Sequence, residues 1–218
     1  MTKKSYAIFG LGSFGTKLAR ELSRAGNSVL VCDISAPRVE DLRDEVTNVV
    51  IADVTHEETI HELNVGKFDA VILGMSSFLE KQILALTLLK QEGARRILAK
   101  ATSDIQERIL YRLGADEVIQ PDLDVAHSLS RRLSLVNITD FFEFKGSAIA
   151  EVRVPATLAG KSLQELNLRG KYAVTVLVLQ KAGSSEELQP GPDTVLACGD
   201  VLTVFGNQKS IIELFKEK

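Results

Sequence analysis

The chain of 218 residues has no tryptophan, two cysteines, three histidines and no surplus of positive charge. Each shortage excludes something. Cys32 and Cys198 make no disulfide framework, which fits a reducing cytosol. A formal net charge of −3 offers no basic stripe for nucleic acid. No apolar run approaches the roughly 18 residues that a membrane span needs. Met1-Thr-Lys-Lys-Ser5 is charged, but Gly10 and Gly12 soon interrupt the apolar run after it, so no secretory leader is expected. The apolar content of 45% still supports a proper core, in one large domain or a medium one plus a small one.

Catalytic motifs are equally scarce. His56-Glu-Glu-Thr-Ile-His61 has a superficial zinc look. Its i, i+5 spacing turns the two rings about 140° apart on a helix, away from a shared metal. Gly74-Met-Ser76 approaches a nucleophile elbow, but Phe78 stands where the second glycine belongs. His127 has Ser128 and Ser130 nearby and no acidic orienter, so it reads as a structural or interface histidine. There is no Tyr-x-x-x-Lys pair for dehydrogenase chemistry.

What is present is one informative stretch, Tyr6-Ala-Ile-Phe-Gly-Leu-Gly-Ser-Phe-Gly15. A short apolar strand runs into Gly10-x-Gly12-x-x-Gly15, and then into a helix-compatible run. The first glycine allows a tight turn, the second lets backbone approach a phosphate pair, and the third lets helix sit close to strand. The helix N-terminus offers free N–H groups to an anion. Val29-Leu-Val-Cys-Asp33 then supplies the acidic residue, about 20 residues on, that accepts ribose hydroxyls. A carboxylate here favours NAD, ADP, ATP or AMP over NADP, and the first arginine after Asp33 is Arg38, beyond Pro37. A nucleotide pocket without acid, base or nucleophile is suited to sensing.

Strand and helix signals alternate through the first two-thirds of the chain. Strands are expected at 6–9, 29–32, 49–52, 70–73, 97–99 and 118–119. Helices are expected at 13–25, 37–45, 57–63, 78–92, 104–113 and 124–135. Thr55 and Ser103 read as helix N-caps, and Gly26, Gly93 and Gly114 as helix stops. Apolar strands separated by helices predict an α/β, doubly wound parallel sheet. After Val136 the pattern changes. Asn137–Phe144 is rich in aromatics, and strand, turn and helix signals then mix through to a last helix near 208–216. The expected division is a nucleotide-binding domain over 1–140 and a small α+β domain over 141–218.

Ligands of such a fold sit at the C-terminal strand ends. The cofactor-binding candidates are therefore Gly10, Gly12, Ser13, Phe14 and Gly15, then Asp33 and Ile34, then Asp53 and Val54. Asp53 either meets the adenine or supports Thr55. Gly74, Met75 and Ser76 come after the fourth strand and wall the pocket, although the side chains of Met75 and Phe78 read as core. Lys100 ends the fifth strand, where a cation neutralises phosphate. Asp122, after the sixth, either holds a divalent ion or starts a helix.

Five stretches together carry a resemblance: Gly10–Gly15, Val31-Cys-Asp33, Ala52-Asp-Val-Thr55, Leu113-Gly-Ala-Asp-Glu-Val-Ile-Gln-Pro121 and Leu196-Ala-Cys-Gly-Asp-Val-Leu-Thr-Val-Phe-Gly206. The chain resembles, over essentially its whole length, the KtrA/TrkA family, RCK-domain regulators of bacterial potassium-uptake channels. The resemblance implies an RCK N-domain and a small RCK C-domain. It implies a cytoplasmic homo-oligomer, a ring of dimers and commonly an octamer, under a membrane potassium-channel subunit, where nucleotide exchange moves the gate. It also places the family's crossover and dimer-forming region at Asp124–Leu135 and Phe141–Phe144. Two departures are visible. ATP-responding members often carry arginine where this chain has Ser13, which leaves ATP, ADP, AMP and NAD(H) all open. Asp122 replaces a common glutamate, keeping a metal role with a shorter reach. In some relatives the C-domain binds c-di-AMP, and the matching segment is Leu168–Thr175 with Arg169. The competing reading is an NAD-dependent oxidoreductase, which would need a base in the C-domain that the sequence does not offer.

Overall fold

The computed structural model describes residues 3–75, 78–134, 137–144 and 146–215, excluding the side chains of Arg131, Arg132, Glu143 and Phe144. Ser76, a pocket candidate, lies outside the described residues. The chain forms two compact units, Met1–Leu123 and Asp124–Lys218.

The first unit alternates strand and helix. The order is β1 (Ser5–Phe9), α1 (Ser13–Arg24), β2 (Ser28–Asp33), α2 (Ala36–Glu40), β3 (Asn48–Ile51) and α3 (Glu57–Leu63). Then come β4 (Ala70–Leu73), α4 (Leu79–Gln91), β5 (Ile97–Lys100), α5 (Asp104–Arg112), β6 (Glu117–Ile119) and the start of α6 (Pro121–Ser134). Among the described residues these strands make a parallel sheet in the order β3-β2-β1-β4-β5-β6. The order reverses between β1 and β4, the switch point where such sheets open a crevice.

Period-two alternation explains why the strands are apolar throughout. Ala7, Phe9, Leu30, Cys32, Val71 and Leu73 face one side, where Ile60, Leu86, Leu89 and Leu110 cover them. Ile8, Val29, Val31 and Ile72 face the other, under Ala19, Val39 and Leu42. Both faces are dry at β1, β2 and β4, so the core-facing residues of these strands have no polar position to spend, whereas β3 at the sheet edge is partly exposed.

Helix ends obey local chemistry. The Ser103 hydroxyl caps α5 by accepting the Gln106 N–H, as expected. Thr55 does not cap α3. His56 takes the cap position, and Thr55 turns back to donate both its N–H and its hydroxyl to Asp53. The helix expected over 37–45 stops at Glu40. Beyond it Leu42, Arg43 and Glu45 bond three residues back, a tighter winding, while Arg20 grips Asp41 and Glu45 from outside. α6 begins at Pro121, three residues earlier than expected, because proline fits a first helical position that needs no N–H donor.

The second unit holds β7 (Ile138–Phe144), β8 (Ser147–Arg153), α7 (Leu163–Leu166), α8 (Leu168–Tyr172), β9 (Val174–Gln180), β10 (Glu187–Leu188), β11 (Val201–Asn207) and α9 (Gln208–Phe215). Its strands are antiparallel, in the order β10-β9-β11-β8-β7. One face is buried: Ala148, Ala150 and Val152 of β8 and Leu202 and Val204 of β11 pack with Ile211 and Phe215 of α9. Asp200 is buried at the start of β11, accepting from Lys181 Nζ at 2.9 Å and from the N–H groups of Ala182 and Ala197. Burial pushes its carboxyl pKa up, but the Lys181 ammonium and those two N–H groups outweigh burial and hold it below the ordinary value. The short helix α8 is not expected from sequence. It is capped by the Asn167 side chain, which accepts the Gly170 N–H at 3.2 Å.

Candidate functional site

A cleft of about 400 Å3 opens at the C-terminal ends of β1, β2, β3, β4 and β5. That is within the usual range for small-molecule sites. Its floor is the glycine loop. Gly10 has φ +93°, and its N–H donates to the Cys32 carbonyl at 2.9 Å, tying loop to β2. A Cβ on Gly10 would sit 2.7 Å from the Met75 nitrogen, and one on Gly15 only 2.1 Å from the Gly10 carbonyl oxygen. These two glycines let α1, β1 and β4 meet at one point. Gly12 is different. It has room for a Cβ with nothing within 4 Å, and it lines the cleft. Ser13 and Phe14 line it as well. Gly15 does not; it works behind the cleft wall.

Asp33 closes β2 with its side chain 6% exposed. One oxygen accepts the Leu11 N–H at 2.6 Å, and the other accepts the Ser35 N–H at 2.8 Å. The carboxylate thus clamps the glycine loop while lining the cleft with Ile34. Asp53 and Val54 also line it. The Thr55 N–H and hydroxyl hold the Asp53 carboxyl below the usual carboxylate range. Asp53 thus holds Thr55, which caps no helix, and also lines the cleft.

Gly74 and Met75 form the wall from β4. Phe78, read as core from sequence, is instead 69% exposed at the cleft, at the N-cap position of α4. Lys100 reaches the cleft from β5. Its ammonium lies 3.1 Å from Asp122 and 5.9 Å from the Phe14 ring centroid. The Lys100 carbonyl is fixed by the buried Gln82, which is hydrogen-bonded to Gln106. Asp122 is thus an ion-pair partner of Lys100. Among the described residues no three His, Cys, Asp or Glu side chains converge to hold a metal. His61, discounted as a zinc ligand, pairs with Glu92 at 3.0 Å.

Besides Phe78, sequence reasoning missed four lining residues: Cys32, Arg38, Ala52 and Lys81. Burial drives the Cys32 thiol up to about 12, so it is a wall and not a nucleophile. Arg38 lies 3.8 Å from Asp33, and Lys81 comes from the first turn of α4. With Lys100, three cations face the cleft against the carboxylates of Asp33 and Asp53. An open Gly12 backbone, positive lining and a dry carboxylate suit a phosphate-bearing nucleoside. The second unit has its own cleft of about 390 Å3, lined by Lys161, Lys171, Tyr172 and Glu165 among others; Arg169 is not on its wall.

Comparison with known proteins agrees with this geometry. Residues 6–121 match the TrkA-N domain and residues 149–218 the TrkA-C domain. The Ktr system potassium uptake protein A of Vibrio alginolyticus is 32% identical over 98% of this chain and 97% of its own length. The Ktr system potassium uptake protein C of Bacillus subtilis is 30% identical over 96% of this chain and 95% of its own. Among solved structures, the GsuK channel bound to NAD matches all of this chain and 40% of its own longer chain, with a TM-score of 0.65 at 18% identity. At that identity the likeness speaks for the fold. The chain belongs to the TrkA-N/TrkA-C, or RCK, family that includes the Ktr potassium uptake proteins A and C.

Proposed function

We propose that this chain is the nucleotide-sensing regulatory subunit of a bacterial potassium-uptake channel, and not an enzyme. The observation that carries the reading is the cleft at the β1/β4 switch point, in a chain that matches a Ktr potassium uptake protein end to end. Gly10, Gly12 and the N-terminus of α1 receive the phosphates, Asp33 the ribose, and Ile34, Asp53 and Val54 the adenine side. Met75 and Gly74 close the wall, and Lys100 neutralises phosphate. Ser13 supplies no cation for a terminal phosphate, which favours ADP, AMP or NAD(H) over ATP. Asp122 becomes a cation ligand only with help from nucleotide oxygens or a second copy, since it starts as the partner of Lys100.

Regulation needs two states with different nucleotide affinity, because a ligand shifts an equilibrium only by its differential binding. A homo-oligomeric ring of dimers, octameric in this proposal, supplies them, lying in the cytoplasm against its membrane channel. No helix among the described residues is long and apolar enough to cross a membrane, so the channel subunit supplies the pore. The nucleotide domain ends near residue 140 in this reading, where the C-domain takes over. The cleft with Lys161 and Lys171 supports an anionic dinucleotide such as c-di-AMP as second ligand. The nucleotide assignment is tested by calorimetry with ATP, ADP, AMP, NAD and NADH. At least one is expected to bind the native chain and to be lost in Gly12→Asp. Absence of binding by all five would remove the assignment.

A further inference from the structure

The ribose end of the cleft has a charge arrangement that the glycine motif does not foretell. An acidic residue at the end of β2 ordinarily repels a 2′-phosphate. Here both Asp33 oxygens are already engaged, by the Leu11 and Ser35 N–H groups. The guanidinium of Arg38 stands 3.8 Å from Asp33 Oδ2 and lines the same cleft. Its side chain is 59% exposed, and its guanidinium N–H donors make no hydrogen bond with any described residue. A guanidinium fork with free donors matches the oxygens of a phosphate in paired geometry. It also screens the carboxylate that would otherwise exclude that phosphate.

Resting on the nucleotide-binding reading above, we propose that Arg38 makes this site admit adenine nucleotides phosphorylated on the ribose 2′ oxygen, the NADP class, alongside unphosphorylated ones. Asp33 keeps its place under the glycine loop in both cases, and Arg38 turns from Asp33 toward the added phosphate. The inference removes the preference that Asp33 alone suggests. Arg38 is then the residue that sets specificity at the ribose.

The test is calorimetry on the full chain at one fixed salt concentration, with NAD against NADP and AMP against adenosine 2′,5′-bisphosphate. Within each pair the ligands differ by the 2′-phosphate alone. The native chain is expected to bind both members within about tenfold of each other. Arg38→Ala is expected to weaken the 2′-phosphorylated member by about tenfold or more beyond any change in its unphosphorylated counterpart, as loss of a charge-assisted pair does. Arg38→Lys should recover part of the loss. Unimpaired binding of NAD or AMP also shows that each variant is folded. If NAD binds and NADP does not, or if Arg38→Ala weakens both alike, the inference about Arg38 fails while nucleotide binding stands. If neither member of either pair binds the native chain, the inference about Arg38 fails, and the nucleotide reading stands or falls on the five-nucleotide titration above.

Discussion

Gly15 has no room for a side chain, and that is a statement about function as well as packing. Its Cβ would enter the Gly10 carbonyl, which is backbone and cannot swing aside. Gly15→Ala is expected to cost about 1–3 kcal/mol in urea unfolding, as overpacking does, and to weaken nucleotide binding by distorting the loop. Asp33→Ala should also lose nucleotide affinity, and should cost about 1–3 kcal/mol because the Leu11 N–H loses a buried acceptor. An unchanged Kd in calorimetry would take Asp33 off the ribose. In the second unit Asp200 makes a pH prediction. Its folded pKa is depressed, so its contribution is fully present above the ordinary carboxylate value, about 3.9, and is lost as pH falls through the lower folded value. Asp200→Asn should lower stability at neutral pH and flatten the acid limb of the denaturation profile. A native and variant chain with parallel acid limbs would contradict this. The glycine triad was legible in the sequence because one local turn dictates its spacing, and Asp33 because one helix and one strand, α1 and β2, separate it from that turn. Arg38 and Lys81 were not, since each enters the cleft through a tertiary placement of α2 or α4 that no spacing rule encodes.

At the scale of elements, strand and helix alternation in the first unit was legible because strands buried on both faces must be apolar throughout. What stayed hidden depended on single competing bonds. α2 stops early where the winding tightens, Thr55 prefers Asp53 to a cap, and α8 forms because Asn167, at φ +44°, caps it. The aromatic segment also divides in a way sequence did not show. Phe141 packs against the core of the second unit, whereas Phe142 is 60% exposed on the edge strand β7; the Phe144 side chain lies outside the described residues. Along α6, Val125, Leu129 and Leu133 are exposed at four-residue spacing, an apolar stripe of the kind that helices bury against one another. The proposed dimer therefore makes a divided expectation. Leu129→Ser with Leu133→Ser should lower the mass seen by light scattering, and Phe142→Ser should do so without unfolding the chain. Phe141→Ser should instead destabilise the second unit. A native chain that stays monomeric at micromolar concentration would contradict the ring, because one subunit has no second body to move against.

At the scale of the whole molecule, occupancy of one cleft is proposed to control potassium flux through a separate membrane protein. Coupling energies of about 1–3 kcal/mol per site are typical of such control, and a ring sums several. Gly12 gives a clean probe. It lines the cleft, its backbone is extended at φ −72°, and a side chain there meets nothing within 4 Å, so Gly12→Asp should fold normally while placing a negative charge where phosphate belongs. The decisive measurement is potassium uptake by transport-deficient bacteria that co-express this chain with the channel subunit from its own genome. Uptake is expected to require the native chain and to lose its nucleotide control with Gly12→Asp at equal protein level. Uptake that is the same with the native chain, with Gly12→Asp and with no chain at all would contradict the account.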